Sequence, residues 1–342
     1  MSPFVKESSV ILGDGDFHTA KQKAYIQSGY NTIGSFANGE EELSKPRKLS
    51  FKADAAHIQV SLDPNFETFE EYEASEGSFF EYSNPYADTT YYWRSLPSAD
   101  DGDAKIYSIH TTSDCPRNID LDGVTNVRDM GGYPSYLGGK IKQGLIYRGG
   151  RLTSNSTSRP QACLTNEGYR TMTEVLKLKS EIDLRYDKPL EGETEPENAN
   201  MSDSFFPNVR YYPCPIDWHW ESLMDDAANA IKDAFTVFGD PNNYPVYFHC
   251  SIGTDRTGLI AYLLGALLGM SNNDLYRDYL FSNFGNIGSS RTDWAPRHVY
   301  YERLQQYDGK NLSEKAKSYL LSIGVDKTRI KTIQENLLSL EG

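Results

Sequence analysis

The sequence predicts an α/β domain with a mostly parallel central sheet flanked by helices, preceded by a small β-sandwich domain. Three observations carry this. Short alternating runs fill the first third of the chain, and helical stretches alternate with short apolar strands from about residue 113 onward. Residues 247–270, YFHCSIGTDRTGLIAYLLGALLGM, then join an apolar strand to an apolar helix through a loop holding a cysteine, glycines, an acid and an arginine.

At 342 residues the chain is long enough for two domains, placed at 1–112 and 113–342. Its formal charge of −14 argues against nucleic-acid binding or a membrane-surface role, either of which needs a basic face. An anionic substrate must then be captured by local donors. The apolar run 259–270 is far shorter than the roughly 20 residues that span a bilayer. The opening MSPFVKESSVILGDGDF has no apolar core of signal-peptide length, so the expected compartment is cytoplasmic, or extracellular had a signal been removed. Of the four cysteines, Cys115, Cys163, Cys214 and Cys250, a working thiolate at Cys250 would leave no fully paired disulfide set. That leans towards a reducing compartment.

In the first domain RKLSFKA, HIQVSL, TTYYWRSL and KIYSIHTT read as strands, broken by turn-rich SNPYAD and SADDGDA. In the second, residues 165–179 read as a helix with Tyr169, Met172, Val175 and Leu176 on one face, followed by the strand EIDLRY. Residues 225–238 place Ala227, Ile231, Ala234, Phe235 and Phe238 on one helical face before the strand PVYFHC. The tail from Ser271 reads as helices, with Ile330, Ile333 and Leu337 aligned over 326–338, and the acidic stretch 191–203 reads as a solvated loop.

A strand ending at Cys250 and a helix starting near Arg256 put the residues between them at a helix N-terminus, where free N–H groups and the helix dipole favour an anion. The amides of Ser251, Ile252, Gly253, Thr254, Asp255 and Arg256 could form a nest, with Gly253 supplying the positive φ. Arg256 adds a planar fork for two phosphoryl oxygens. The same field should lower the pKa of Cys250, and Thr257 could donate its hydroxyl to the sulfur. The motif is a phosphate cradle with a nucleophile at its base.

Residues 249–258, HCSIGTDRTG, resemble the active-site signature of cysteine-dependent protein tyrosine phosphatases. They are most similar to the bacterial and fungal branch with His-Cys-x-x-Gly-Lys-Asp-Arg-Thr-Gly, which includes dual-specificity and phosphoinositide-active members. NVRDMGGYPSYLGGKIKQGLIYRGGRL resembles that branch's entry segment, EIDLR its Asp-Leu-Arg strand, and LLGALLGMSNNDLYRDYLFSN its post-loop helices. The resemblance implies Cys250 as the nucleophile that forms a cysteinyl-phosphate, Arg256 as the phosphoryl binder, and Asp255 as general acid. It also implies that His249 supports the loop from behind, with no metal and no cofactor. Thr254 departs from the branch's lysine, which counts against highly anionic lipid headgroups.

The rival acid is Asp217 in PCPIDWHW, where Trp218, His219 and Trp220 stack on an aromatic leaving group or belong to the core. Arg128 and Asp129 read as a structural ion pair beneath the site, and Cys163 and Cys214 as inert. NPYADTTYYWRSLPSADDGDAKIYSIHTT resembles the last strands of a fibronectin type III-like domain, which implies a structural or positioning module. The expected activity is hydrolysis of phosphomonoesters, protein phosphotyrosine first, with dual specificity in reach. The alternatives are an inositol phosphate, phytate or phosphoinositide phosphatase and, in other classes, an inactive phosphate-binding scaffold or a sulfur-transfer enzyme of the rhodanese type, whose loop is usually shorter. Expected partners are a phosphorylated protein or a small phosphomonoester.

Overall fold

The computed structural model describes residues 15–97, 104–153, 164–186, 206–217 and 223–339. The chain divides into two compact units, one made of Met1–Ala20 with Pro46–Cys115 and the other of Lys21–Lys45 with Pro116–Gly342. A single cut at residue 112 therefore misses one feature: residues 21–45 group with the second unit. The cause is packing. Tyr25 sets its ring 5.9 Å from those of Phe281 and Phe284, and the Ser44 carbonyl accepts from Asn118 Nδ2 at 2.6 Å.

The first unit holds β1 (Leu49–Lys52), β2 (His57–Ser61), β3 (Glu70–Glu73), β4 (Phe79–Tyr82), β5 (Thr90–Leu96) and β6 (Tyr107–His110). β1 pairs with β4, and the others form a sheet in the order β3-β2-β5-β6 with antiparallel neighbours throughout. Alternation in β5 turns Tyr91 and Trp93 inward, where they meet Phe51, Ile58, Val60 and Ile109 in one core. Trp93 stacks on Phe51 with ring centroids 4.6 Å apart. β3, with sequence EEYE, has no alternating apolar pattern to announce it; it is an edge strand whose acids are exposed.

In the second unit β7 (Arg117–Asn118), β8 (Arg128–Asp129), β9 (Lys140–Ile141), β10 (Ile146–Gly149), β11 (Ser180–Asp183), β12 (Arg210–Pro213), β13 (Val246–His249) and β14 (Leu338–Ser339) are the strands. The main sheet runs β12-β11-β13-β10-β8-β7. Its members from β12 to β10 are parallel, β8 runs antiparallel to β10 and β7 antiparallel to β8, so the sheet is mostly parallel within a mixed α/β fold. β13 is buried at every residue, as a central strand covered on both faces must be. Its register sets His249 beside Gly149 on one side and Asp183 on the other. That puts the loop after β13 at the carboxyl ends of the parallel strands, the usual ligand position in such sheets.

The helices are α1 (Ala20–Ile26), α2 (Asn166–Arg170), α3 (Leu223–Asp226), α4 (Ala228–Phe238), α5 (Asp255–Leu267), α6 (Asn272–Phe281), α7 (Glu302–Leu304), α8 (Leu312–Ser322) and α9 (Lys327–Leu337). α4 buries Ile231, Ala234, Phe235 and Phe238, and α9 buries Ile330, Ile333 and Leu337 behind an Asp326 cap. α5 is buried all round, which explains its unbroken apolar sequence. The expected single helix over 165–179 is instead α2 followed by a π-helical turn at Thr171–Val175. The Leu176 amide reaches back five residues to Thr171. That extra residue per turn keeps Met172 and Leu176 inside but swings Val175 out to 59 % exposure. Among the described residues no helix is long and apolar enough to cross a membrane.

Candidate active site

Cys250 follows β13 directly and α5 starts at Asp255, so residues 250–254 form the turn between them. Gly253 has φ +71°, and a Cβ there would lie 2.3 Å from the Gly149 carbonyl carbon. Only glycine can press the loop this closely on the end of β10.

The carbonyls of Cys250, Ser251, Ile252 and Gly253 each have a partner outside the turn. Cys250 O lies 3.1 Å from His249 Nδ1, and Ser251 O accepts from the Arg151 amide at 3.2 Å. Ile252 O accepts from Asn126 Nδ2 at 3.1 Å, and Gly253 O from Arg148 Nη2 at 2.9 Å. In a planar trans peptide the N–H lies opposite the C=O. Carbonyls tied in this way leave the amides of Ser251, Ile252, Gly253 and Thr254 pointing the other way, an arrangement suited to an anion.

Burial works against ionisation of the Cys250 thiol, yet its pKa is lowered, because the Arg256 charge and the hydroxyl and amide of Thr257 outweigh burial and the opposing Asp255. The Thr257 hydroxyl is buried without a hydrogen-bond partner of its own, so the thiolate is the acceptor open to it. Arg256 is held over the Tyr186 ring at 4.6 Å, and it donates to Ser251 Oγ at 3.2 Å and to the Leu184 carbonyl at 3.4 Å. Its fork is oriented before any ligand arrives.

Behind the loop, His249 Nε2 meets Glu181 Oε1 at 3.0 Å, while Nδ1 faces the Cys250 carbonyl. With an acceptor at each ring nitrogen, the imidazolium fits this position. Burial opposes the charge, but Asp183 and Glu181 raise the His249 pKa overall. Glu181, Asp183 and His249 bring potential metal-ligand atoms within 4.8 Å of one another. These atoms are already engaged, Asp183 by both arms of Arg185 and by the Tyr211 hydroxyl. The three side chains form an ion-pair network.

Asp255 opens α5 and is an acceptor on both oxygens. Oδ1 takes the Tyr279 hydroxyl at 2.8 Å and Arg291 Nε at 3.0 Å, and Oδ2 takes Arg291 Nη2 at 2.9 Å. Thr254 is buried, and Asn126 Nδ2 contacts its hydroxyl at 3.2 Å.

A family model described as the tyrosine phosphatase family matches residues 119–339. The chain belongs to that family. Over 198 residues it is 27 % identical to a candidate tyrosine-protein phosphatase of Cupriavidus necator, a match covering 52 % of this chain and 67 % of that protein. It is also similar to the core catalytic domain of the PP-IP phosphatase Siw14 from S. cerevisiae, at 17 % identity and a TM-score of 0.31, over 52 % of this chain and 90 % of that one. A second structure of the Siw14 catalytic core gives 16 % identity and a TM-score of 0.34, over 59 % of this chain and 95 % of that one. The chain is thus a phosphatase: its reaction is phosphoester hydrolysis.

In this phosphatase Asp217 is exposed after β12, and Trp218, His219, Trp220, Cys163 and the stretch 191–203 lie outside the described residues. Arg128 and Asp129 do not pair with each other, contrary to expectation. Successive residues of β8 point to opposite faces, so Arg128 joins Asp278 at 2.8 Å and Asp129 joins Arg117 at 2.7 Å. Cys214 is buried, and burial with the nearby Asp233 and Asp183 pushes its thiol up to about 12.

Asn126, Arg148, Arg151, Asp278, Tyr279 and Arg291 are the residues that sequence reasoning missed. All but Arg291 fall inside the quoted stretches NVRDMGG, YRGGRL and DLYRDYLFSN. The signal was there as a cluster of polar residues in otherwise apolar, buried segments.

Proposed function

We propose that this phosphatase hydrolyses phosphotyrosine in proteins through a cysteinyl-phosphate, without a metal. The observation that carries the reading is the Cys250 loop, whose outward-tied carbonyls and preset Arg256 surround a thiol held below its usual pKa. The Cys250 thiolate attacks phosphorus, an S–P bond forms as the P–O bond breaks, and Asp255 delivers a proton to the departing phenolate oxygen. Water then attacks the phosphorus and gives a proton to Asp255. Inorganic phosphate leaves and the thiolate is restored. The loop amides from Ser251 to Arg256 and the Arg256 fork stay with the phosphoryl oxygens through both steps. Because Asp255 rests as an acceptor on both oxygens, its role requires the Arg291 fork to release one of them and that oxygen to take up a proton from solvent before the phenolate departs.

Phosphotyrosine is favoured over polyanionic substrates because the loop carries no added cation. Thr254, where the resembling branch carries lysine, is buried and neutral. A phosphate-release panel of phosphotyrosine and phosphoserine peptides, phosphoinositides and inositol phosphates tests this, with Cys250→Ser as the control. Preference for an inositol phosphate would replace the substrate assignment, and absence of turnover would leave a phosphate-binding scaffold. Activity that survives a chelator supports a metal-free reaction.

The first unit is proposed to be a fibronectin type III-like β-sandwich of residues 1–112, less the segment 21–45, that positions the phosphatase domain of residues 113–342. Its antiparallel sheets about Trp93 support this. A cytoplasmic location goes with this reading, because a working thiolate at Cys250 leaves the four cysteines no fully paired disulfide set.

A further inference from the structure

We infer that Asp278, in α6, is the positioning residue that shapes the phosphate nest, acting through Arg148 and Arg128. The inference rests on the reading of the Cys250 loop as the phosphoryl site, and it is independent of which acid protonates the leaving group. Asp278 is buried, and its carboxylate binds two guanidiniums, Arg128 through Oδ1 at 2.8 Å and Arg148 through Oδ2. Each arginine continues to the loop by a separate route. Arg148 Nη2 donates to Gly253 O at 2.9 Å. Arg128 Nη1 donates to Asn126 Oδ1, which fixes the amide so that Nδ2 reaches Ile252 O and the Thr254 hydroxyl.

A single buried acid thus sets two consecutive loop carbonyls by two separate routes. Without it, two enclosed arginines would repel each other, and both carbonyls would lose their fixed direction. The peptides Ile252–Gly253 and Gly253–Thr254 could then rotate, taking the Gly253 and Thr254 amides out of the nest. An exposed ion pair would not impose such order, because its side chains pay entropy to stay in place. Here burial and the Tyr133 hydroxyl, 3.3 Å from Oδ1, lock the acid.

The test uses the full chain and three variants. Arg148→Lys keeps the charge opposite Asp278 but loses the second arm to Gly253. Asn126→Gly removes the amide and tolerates the local φ of +62°. Asp278→Asn removes the charge at the hub. Inhibition by inorganic phosphate and turnover of an aryl phosphate are measured at a temperature where circular dichroism shows each variant folded. The expected result for Arg148→Lys and Asn126→Gly is inhibition weakened about tenfold and kcat lowered by up to about a hundredfold, with KM moving less. The double variant should lose less than the product of the single losses, because both arms depend on one carboxylate. If Asp278→Asn does not fold, the other two carry the test, since each retains Asp278. A merely structural role would lower the melting temperature and leave kcat and phosphate inhibition within twofold of wild type, and that result would overturn the inference. If the wild type neither binds phosphate nor turns over, the phosphoryl-site reading itself fails, which is a separate outcome.

Discussion

Cys214 and Cys250 occupy matching places in the sheet, at the ends of β12 and β13, the two strands that flank β11. Each is 2 % exposed. Burial pushes both thiols up, yet they end on opposite sides of the ordinary value. Cys214 is pushed up to about 12 by burial, with Asp233 and Asp183 adding to it. Cys250 falls below its usual range because Arg256 and Thr257 overcome burial. The segment after each strand decides the difference. Beyond Cys214 the chain runs Pro215-Ile216-Asp217 with no helix start, whereas beyond Cys250 it turns into the N-terminus of α5. Depth alone makes a cysteine neither inert nor reactive.

The largest expected contrast comes from substitution at the two positions. Cys250→Ser should lower turnover by at least about a thousandfold, because a serine hydroxyl is not ionised near neutral pH. Cys214→Ser should leave kcat within twofold, and comparable losses at both positions would erase the distinction. The thiols should also differ in alkylation by iodoacetamide. Since only the thiolate reacts, Cys250 should modify below the usual thiol pKa of about 8.5, while Cys214 stays intact in the folded protein. Peptide mapping by mass spectrometry reads both sites in one sample.

Next in size is Arg256→Lys, which keeps a charge near the sulfur but not the fork. A loss of roughly a hundredfold or more in kcat is expected, with alkylation of Cys250 much less affected. If the two readouts fall together, Arg256 acts through the thiol alone.

Asp255→Asn should slow phosphotyrosine hydrolysis by about a hundredfold or more and an activated aryl phosphate far less, since a good leaving group departs without a proton. Asp217→Asn should slow neither. The opposite pattern would move the acid to the loop after β12. Because Asp255 also neighbours the thiolate, full pH profiles on both substrates separate its effect on Cys250, which appears with either leaving group.

The strand, loop and helix around Cys250 were legible because the motif is local: cysteine, glycine and arginine lie within seven residues. The residues that support them were not, because Asp278 and Arg291 arrive from later segments and declare their partners only in three dimensions. Arg128 and Asp129 were read as a pair from adjacency, and strand alternation separated them. Val175 fitted a regular helical face that a π turn rotated away. Residues 21–45 looked like the start of the first domain because nothing in their composition records that Tyr25 packs on Phe281.

The smallest expected effect is on stability. The His249 pKa is raised by Asp183 and Glu181. The stabilisation from that charge is therefore fully present below about pH 6.5, the unfolded value, and is lost as pH rises through the raised folded value. Glu181→Gln should cost about 1–3 kcal/mol at the lower pH, with the gap to wild type shrinking as His249 loses its proton. Urea unfolding across this range measures it, and a constant gap would show that the charge on His249 is not what Glu181 holds.

Quenching the enzyme in acid during turnover of a phosphotyrosine peptide, then locating bound phosphate by mass spectrometry, tests the central claim most directly. Asp255→Asn can be run alongside wild type to vary how much intermediate accumulates. The account predicts a single phosphorylated site, the Cys250 sulfur, absent from Cys250→Ser. Phosphate on any other side chain, or full turnover by Cys250→Ser, would contradict it.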